Sequence, residues 1–250
     1  MLGAIPAIIG IVATVGLAGA AVVARALTAA AAVVASAFGI AVVLVAGFAF
    51  LILLVVFVVV SALATRYRFE EKVRRNVQEG REGERGVSNV LAHIVLPTAL
   101  ALAGGLGGLP LPVAAVLFAS ALAFAAADTL ASEFGVLLGS AVSILSLRAV
   151  TPGTNGGVSS VGEMFAVAGA VGIALVGGGL FGLFGTPDGR VWLFLVAVGL
   201  SGFVGCQVDS VLGETLENRG LLTKGTTNFL GMLSAVGLAA AVMAVAGVRL

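Results

Sequence analysis

An all-α, polytopic transmembrane helical bundle of about 6–8 spans, with a parallel internal repeat, is the fold class this sequence predicts. Three observations predict it. The 250 residues are 60% hydrophobic and only 10% charged, with a mean hydropathy of +1.20, whereas soluble domains carry about 25% charged residues. Charged residues and histidine are absent from 1–24 and again from 26–65, and roughly 20 apolar residues suffice to cross a bilayer as helix. An acidic motif occurs twice, as Asp128-Thr129-Leu130-Ala131-Ser132-Glu133 and as Asp209-Ser210-Val211-Leu212-Gly213-Glu214.

Residues 1–64 read as N-terminal transmembrane helices. The start, Met1-Leu2-Gly3-Ala4-Ile5-Pro6, lacks the basic residues that open a secretory signal, so the first run is a retained helix. The second run is too long for one untilted span, and a tight hairpin is expected within it near 36–39. Residues 65–88 form a charged cytoplasmic loop, in which 66–85 hold seven basic and five acidic residues. A solvated helical loop touching anionic headgroups accounts for most of that charge.

Residues 89–250 form a transmembrane core with apolar segments near 89–106, 111–127, 164–183, 191–208 and 228–248. Short Gly/Pro turns join some of these, at 104–110 and 185–190. With 65–87 in the cytoplasm and later spans threaded alternately, Arg66, Arg68, Lys72, Arg74, Arg75, Arg81, Arg85, Arg148, Arg219 and Lys224 fall inside, against Arg25, Arg190 and Arg249 elsewhere. This asymmetry follows the positive-inside rule. It predicts a multi-pass protein with its active face in the cytoplasm. The repeat units lie near 111–160 and 191–228, and two intervening spans give them the same orientation. Cys206 is the single cysteine, which excludes an internal disulfide and reads as a packed small residue.

The acids carry the chemical signal. A carboxylate inside a membrane needs a partner, water or a metal, and the set Asp128, Glu133, Asp209, Glu214 and Glu217 around one pocket repels itself unless cations intervene. Such hard oxygen ligands suit Mg²⁺, held by one or two carboxylates plus substrate phosphates. Pairing with Arg148 and Arg219 is the structural alternative. Each motif precedes a Gly/Thr/Asn loop: Thr151-Pro152-Gly153-Thr154-Asn155-Gly156-Gly157, then Thr223-Lys224-Gly225-Thr226-Thr227-Asn228. Glycine lets successive backbone N–H groups converge on an anion, so Thr154, Asn155, Gly156, Gly157, Lys224, Thr226 and Asn228 are candidate phosphate contacts. Arg81, Arg85 and Arg148 join them because the guanidinium fork binds phosphate oxygens bidentately. His93, the single histidine, lies one helical turn from Asn89 near the start of a span, and both are candidate site residues.

In combination, the Gly/Arg stretch at 80–86, Asp-Thr-Leu-Ala-Ser-Glu-Phe-Gly from Asp128, Thr-Pro-Gly-Thr-Asn-Gly-Gly-Val-Ser from Thr151, Asp-Ser-Val-Leu-Gly-Glu from Asp209 and Thr-Thr-Asn from Thr226 are distinctive. The chain resembles the integral-membrane family that contains plant phytyl-phosphate kinase and animal transmembrane protein 19. The resemblance runs from about residue 40 to the C terminus. It implies a nucleotide-dependent kinase that converts phytyl or geranylgeranyl monophosphate into the diphosphate, with CTP or a related triphosphate as donor and Mg²⁺ as cofactor. Residues 89–250 then become the catalytic core, with Asp128, Glu133, Asp209 and Glu214 in the family's acidic positions. The family commonly shows Gln and Asn where this chain has Asn89 and His93, and the resemblance makes these two candidates for a lipid-phosphate contact. The expected partners are an isoprenoid phosphate, a nucleoside triphosphate and membrane lipid, with no nucleic acid. An ion-coupled secondary transporter is the alternative, since repeats and intramembrane acids also mark such carriers.

Overall fold

The computed structural model describes residues 3–78, 83–184 and 190–248. The order is α1 (Ala4–Val23), α2 (Ala29–Val45), α3 (Phe48–Arg66), α4 (Phe69–Arg75), α5 (Val87–Gly105), α6 (Leu111–Leu138), a two-stranded ribbon of β1 (Val142–Ser143) and β2 (Gly157–Val158), α7 (Ser160–Leu180), α8 (Arg190–Leu212), a π turn (Gly213–Glu217) and α9 (Lys224–Val245). Among the described residues, seven helices have the length and apolar composition to cross a membrane, and α2 is a shorter apolar helix of 17 residues. The chain is a polytopic helical bundle.

Thr28 starts α2 by accepting from the Ala31 N–H, an ordinary N-cap. The expected hairpin near 36–39 is not there, because Ser36 and Gly39 lie inside α2. The reversal falls at Gly47, whose φ of +97° is accessible at little cost only to glycine. Arg25 also changes sides relative to expectation. The Arg85 N–H donates to the Ala26 carbonyl at 3.0 Å and the Thr28 N–H to the Arg85 carbonyl at 3.2 Å, which ties the α1–α2 link to the charged segment. Arg25 therefore joins the basic face, and α1 begins at the opposite one.

At the centre stands α6. Every residue from 113 to 127 except Val116 is buried, and α3, α5, α7, α8 and α9 surround it. Small residues set the spacing. A Cβ on Gly169 of α7 would lie 2.8 Å from the Ala126 carbonyl, and one on Gly202 of α8 would lie 2.6 Å from the Ala123 Cβ. Membrane helices gain stability from such close backbone approach rather than from hydrophobic transfer. Gly169→Ala is accordingly expected to destabilise the bundle by about 1–3 kcal/mol through overpacking against backbone that cannot move aside. Gly172→Ala, with nothing within 4 Å of its added methyl, should be neutral or mildly stabilising. Thermal melts of the two variants in detergent check the contrast.

Those approaches sit just before the acidic motifs and bring them together. Asp128 lies well inside α6, which continues for ten residues beyond it, instead of at a helix end. Asp209 lies in the last turn of α8. The two motifs differ in local structure, because the first stays α-helical through Glu133 whereas the second passes into the π turn.

Candidate functional site

A cavity of about 380 Å³ opens between the ends of α6, α7 and α8, the start of α9, the segment after α4 and the 152–159 loop. Its wall includes the predicted Asp128, Glu133, Asp209, Glu217, Thr154, Asn155, Gly156, Gly157, Lys224 and Asn228. Asp209 feels Asp128 and Glu217 as like charges and Lys224 as an opposite one, so these four side chains share one electrostatic neighbourhood. Asp209 is held there by close packing. Its Cβ would be 3.0 Å from a Cβ on Gly231 of α9.

Two acids have other partners. Glu133 is buried and accepts from Thr65 Oγ1 at 2.5 Å and from Lys72 Nζ at 2.6 Å. Lys72 is itself fully buried, and its remaining donors reach the Ala64 and Thr65 carbonyls at 2.8 and 3.1 Å. The three-proton inventory of an ammonium is thereby filled. Glu214 accepts from Ser143 Oγ at 2.6 Å and from the Leu145 N–H at 3.3 Å, outside the cavity wall, where it fastens the ribbon to the π turn. Neither pairs with Arg148 or Arg219, which are exposed.

The glycine loop owes part of its composition to packing. Gly156 has φ +77°, and a Cβ there would collide with Glu214. Thr154 and Gly157 donate their N–H groups to the Thr151 and Thr154 carbonyls at 3.1 and 2.9 Å, so the loop is internally braced. Asn155 Nδ2 donates to Glu217 at 3.1 Å. Thr226 lies outside the wall and forms a capping box with Thr223 at the start of α9. Arg148 also lies outside it, and Arg81 falls outside the described residues.

Arg85, Asn89 and His93 form a second cluster beside the cavity. Arg85 donates to Asn89 Oδ1 at 3.3 Å, Thr129 Oγ1 at 3.4 Å and Thr65 Oγ1 at 3.5 Å. His93 Nδ1 lies 2.8 Å from the Asn89 carbonyl, which only accepts, so that nitrogen carries the proton. The other ring nitrogen, Nε2, meets Asn228 Nδ2 at 3.3 Å. Turned over, the Asn228 amide donates instead to Asp209 Oδ1 at 3.3 Å and the Lys224 carbonyl at 3.1 Å. Asn228 thus stands between His93 and Asp209 and can bond to either.

Sequence reasoning missed Lys72, the partner of Glu133, and two residues of the cavity wall, Glu163 and Gln78. Glu163 lines the cavity from the first turn of α7 and accepts from Gln207 at 2.8 Å. Ser160-Val161-Gly162-Glu163 ahead of an apolar run was the available signal, a helix-start pattern; the observed cap is Ser159, accepting from the Gly162 N–H at 3.0 Å.

These features define a multi-pass membrane protein with a carboxylate-rich polar cavity at the charged end of its bundle. The match to known proteins is more specific. Residues 12–234 fit the family described as Integral membrane protein DUF92, and the chain belongs to that family. It is 30% identical to "Uncharacterized membrane protein MJ0933" of Methanocaldococcus jannaschii over 188 residues, covering 75% of this chain and 73% of that one. It is 31% identical to "Uncharacterized membrane protein sll0875" of Synechocystis over 198 residues, 76% and 74% of the two chains. "Protein PGR" of Arabidopsis thaliana is 30% identical over 192 residues, 70% and 67%. No solved structure matches the chain significantly.

Proposed function

We propose that this protein is an isoprenoid monophosphate kinase, transferring the γ-phosphoryl group of a nucleoside triphosphate, CTP foremost, to a phytyl or geranylgeranyl phosphate. The observation that carries it is the juxtaposition of the carboxylate-lined cavity with the Arg85–Asn89–His93–Asn228 cluster. One side suits a soluble, metal-bound triphosphate, and the other suits an anionic headgroup anchored in lipid. The charged face, to which Arg25 adds, is taken as cytoplasmic.

The donor set fits Mg²⁺. Among the described residues no three His, Cys, Asp or Glu side chains are grouped tightly enough to hold a metal alone, and Mg²⁺ in such sites is bound through one or two carboxylates with substrate phosphates completing its shell. Asp128 and Asp209 would hold it, and when bound it neutralises triphosphate charge. The chain's own groups do the rest. A phosphate monoester is already largely dianionic at neutral pH, so its oxygen attacks the γ-phosphorus without a strong base. A P–O bond forms to the lipid phosphate as the β–γ bridging bond breaks, and the electron pair leaves on the nucleoside diphosphate. Arg85 orients the acceptor and Lys224 offsets charge on the transferring group, which is the positioning and electrostatic work this chemistry requires.

On the far side of the cavity, α6 is buried on all sides from Val113 to Ala115 and from Leu117 to Ala127. A closed floor of this kind suits a one-sided enzyme better than a carrier with access from both faces. Purified protein in lipid nanodiscs is expected to transfer labelled γ-phosphate from CTP to geranylgeranyl phosphate in a Mg²⁺-dependent manner. Absence of turnover with every isoprenoid monophosphate and all four nucleotides would refute the assignment.

A further inference from the structure

We propose that the apolar groove between α1, α2 and α3 seats the hydrocarbon tail of the lipid phosphate, with the headgroup delivered past Ser61 to Arg85 and His93. The identity of that lipid rests on the kinase reading above. The groove has a volume of about 350 Å³ and an almost wholly apolar wall. Thr14 and Ser36 contribute to it, but their hydroxyls are turned back onto the Gly10 and Ala32 carbonyls at 2.7 and 2.8 Å. Its outer lips, Leu17, Val59 and Leu63, are exposed at 46%, 48% and 66% and face the lipid, so a tail can enter sideways from the bilayer.

A smaller cavity of about 50 Å³ continues the groove, sharing Leu27, Leu54, Val58 and Ile94 with it, and its far wall is Arg85, Asn89 and His93. His93 in turn meets Asn228 of the polar cavity. Apolar tail site, headgroup cluster and triphosphate cavity therefore lie in sequence, the last two divided by the buried His93–Asn228 pair. Ser61, in the wall of the small cavity, supplies an independent sign of a ligand. It is 2% exposed, and its hydroxyl has no hydrogen-bond partner among the described residues. Intramembrane serines ordinarily satisfy themselves on the carbonyl four residues back, as Ser36 and Ser120 do here at 2.8 Å. Ser61 does not, which leaves its hydroxyl to a headgroup oxygen.

The length of the groove also selects. From Ser61, where the headgroup turns off, to Leu51 it runs about 15 Å along α3 at the α-helical rise, the depth of one leaflet of a hydrocarbon core of about 30 Å. A single extended chain that reaches the midplane fills it. Short-chain prenyl phosphates leave its deep half, at Ala18 and Gly39, empty.

The test uses geranylgeranyl phosphate bearing a diazirine at the tail end, photolysed on the full chain in phosphatidylcholine nanodiscs and mapped by mass spectrometry. Labels are expected on α1 and α3 between residues 14 and 18 and between 51 and 59, displaced by unlabelled geranylgeranyl phosphate. Ala18→Trp should lower affinity for geranylgeranyl phosphate about tenfold, while geranyl phosphate binding is unchanged. Labels confined to other helices overturn the proposal, as do groove labels that geranylgeranyl phosphate fails to displace, which would mark bulk phospholipid. If Ala18→Trp does not fold, the wild-type map decides by itself. Groove labelling without phosphoryl transfer keeps the tail site and removes the kinase assignment; transfer with the tail labelled elsewhere does the reverse.

Discussion

Asp128→Asn and Asp209→Asn are each expected to lower phosphoryl transfer by about 100-fold or more while leaving an inserted, monodisperse bundle, the scale seen when a single preorganised electrostatic group is removed. Both carboxylates line the cavity within electrostatic reach of each other. An amide keeps the shape and removes the charge that would hold Mg²⁺ against the triphosphate. Their like-charge repulsion is relieved at the same time, so thermal stability should hold or rise. Initial rates and melting curves on the same preparations check both halves. Either variant retaining wild-type turnover would take that residue out of the reaction.

Lys72→Met is expected to behave in the opposite manner, costing about 3–5 kcal/mol of stability because it strands the buried Glu133 carboxylate without its cation. Glu133→Leu should cost a similar amount by stranding the ammonium, while the double variant Lys72→Met/Glu133→Leu should recover much of the loss, since an apolar pair of similar volume often replaces a buried ion pair without penalty. A double-mutant cycle on denaturation in mild detergent measures the coupling. This separates the roles of the acids in the first motif. If Glu133→Gln melts like the wild type and loses all turnover, Glu133 belongs with Asp128 and not with Lys72.

The spans were legible because hydropathy is a sum over some twenty residues and survives errors at any one of them. The first turn was not, because 26–65 contains no charged residue to punctuate it, and glycines at 39 and 47 compete. Packing decides between them, since Gly39 faces the Thr14 side chain and stays helical. Asp128 and Asp209 were legible from the duplicated motif, whereas Glu163, which shares the cavity wall with them, was not. The two motif acids that turn elsewhere were not, for reasons beyond the reach of a spacing rule. The π turn adds a residue to the helical repeat and re-aims Glu214 toward Ser143. Glu133 meets a lysine that composition assigned to a solvated loop, because a charge run does not reveal which of its members docks. Arg85 and His93, by contrast, were singled out from residue type and position, and they do lie beside the cavity.

α6 meets almost no lipid once the bundle is complete, since 94% of its apolar stretch is enclosed by protein. Its hydropathy therefore serves synthesis more than residence. Membrane helices enter in chain order, and α6 arrives before α7, α8 and α9 exist to wrap it. Thr65 and Lys72 precede Glu133 in the chain, so the carboxylate has its counter-charge waiting as it enters. Asp128 completes its surroundings only when the second half of the chain supplies Glu163, Asp209, Lys224 and Asn228 to the same cavity wall.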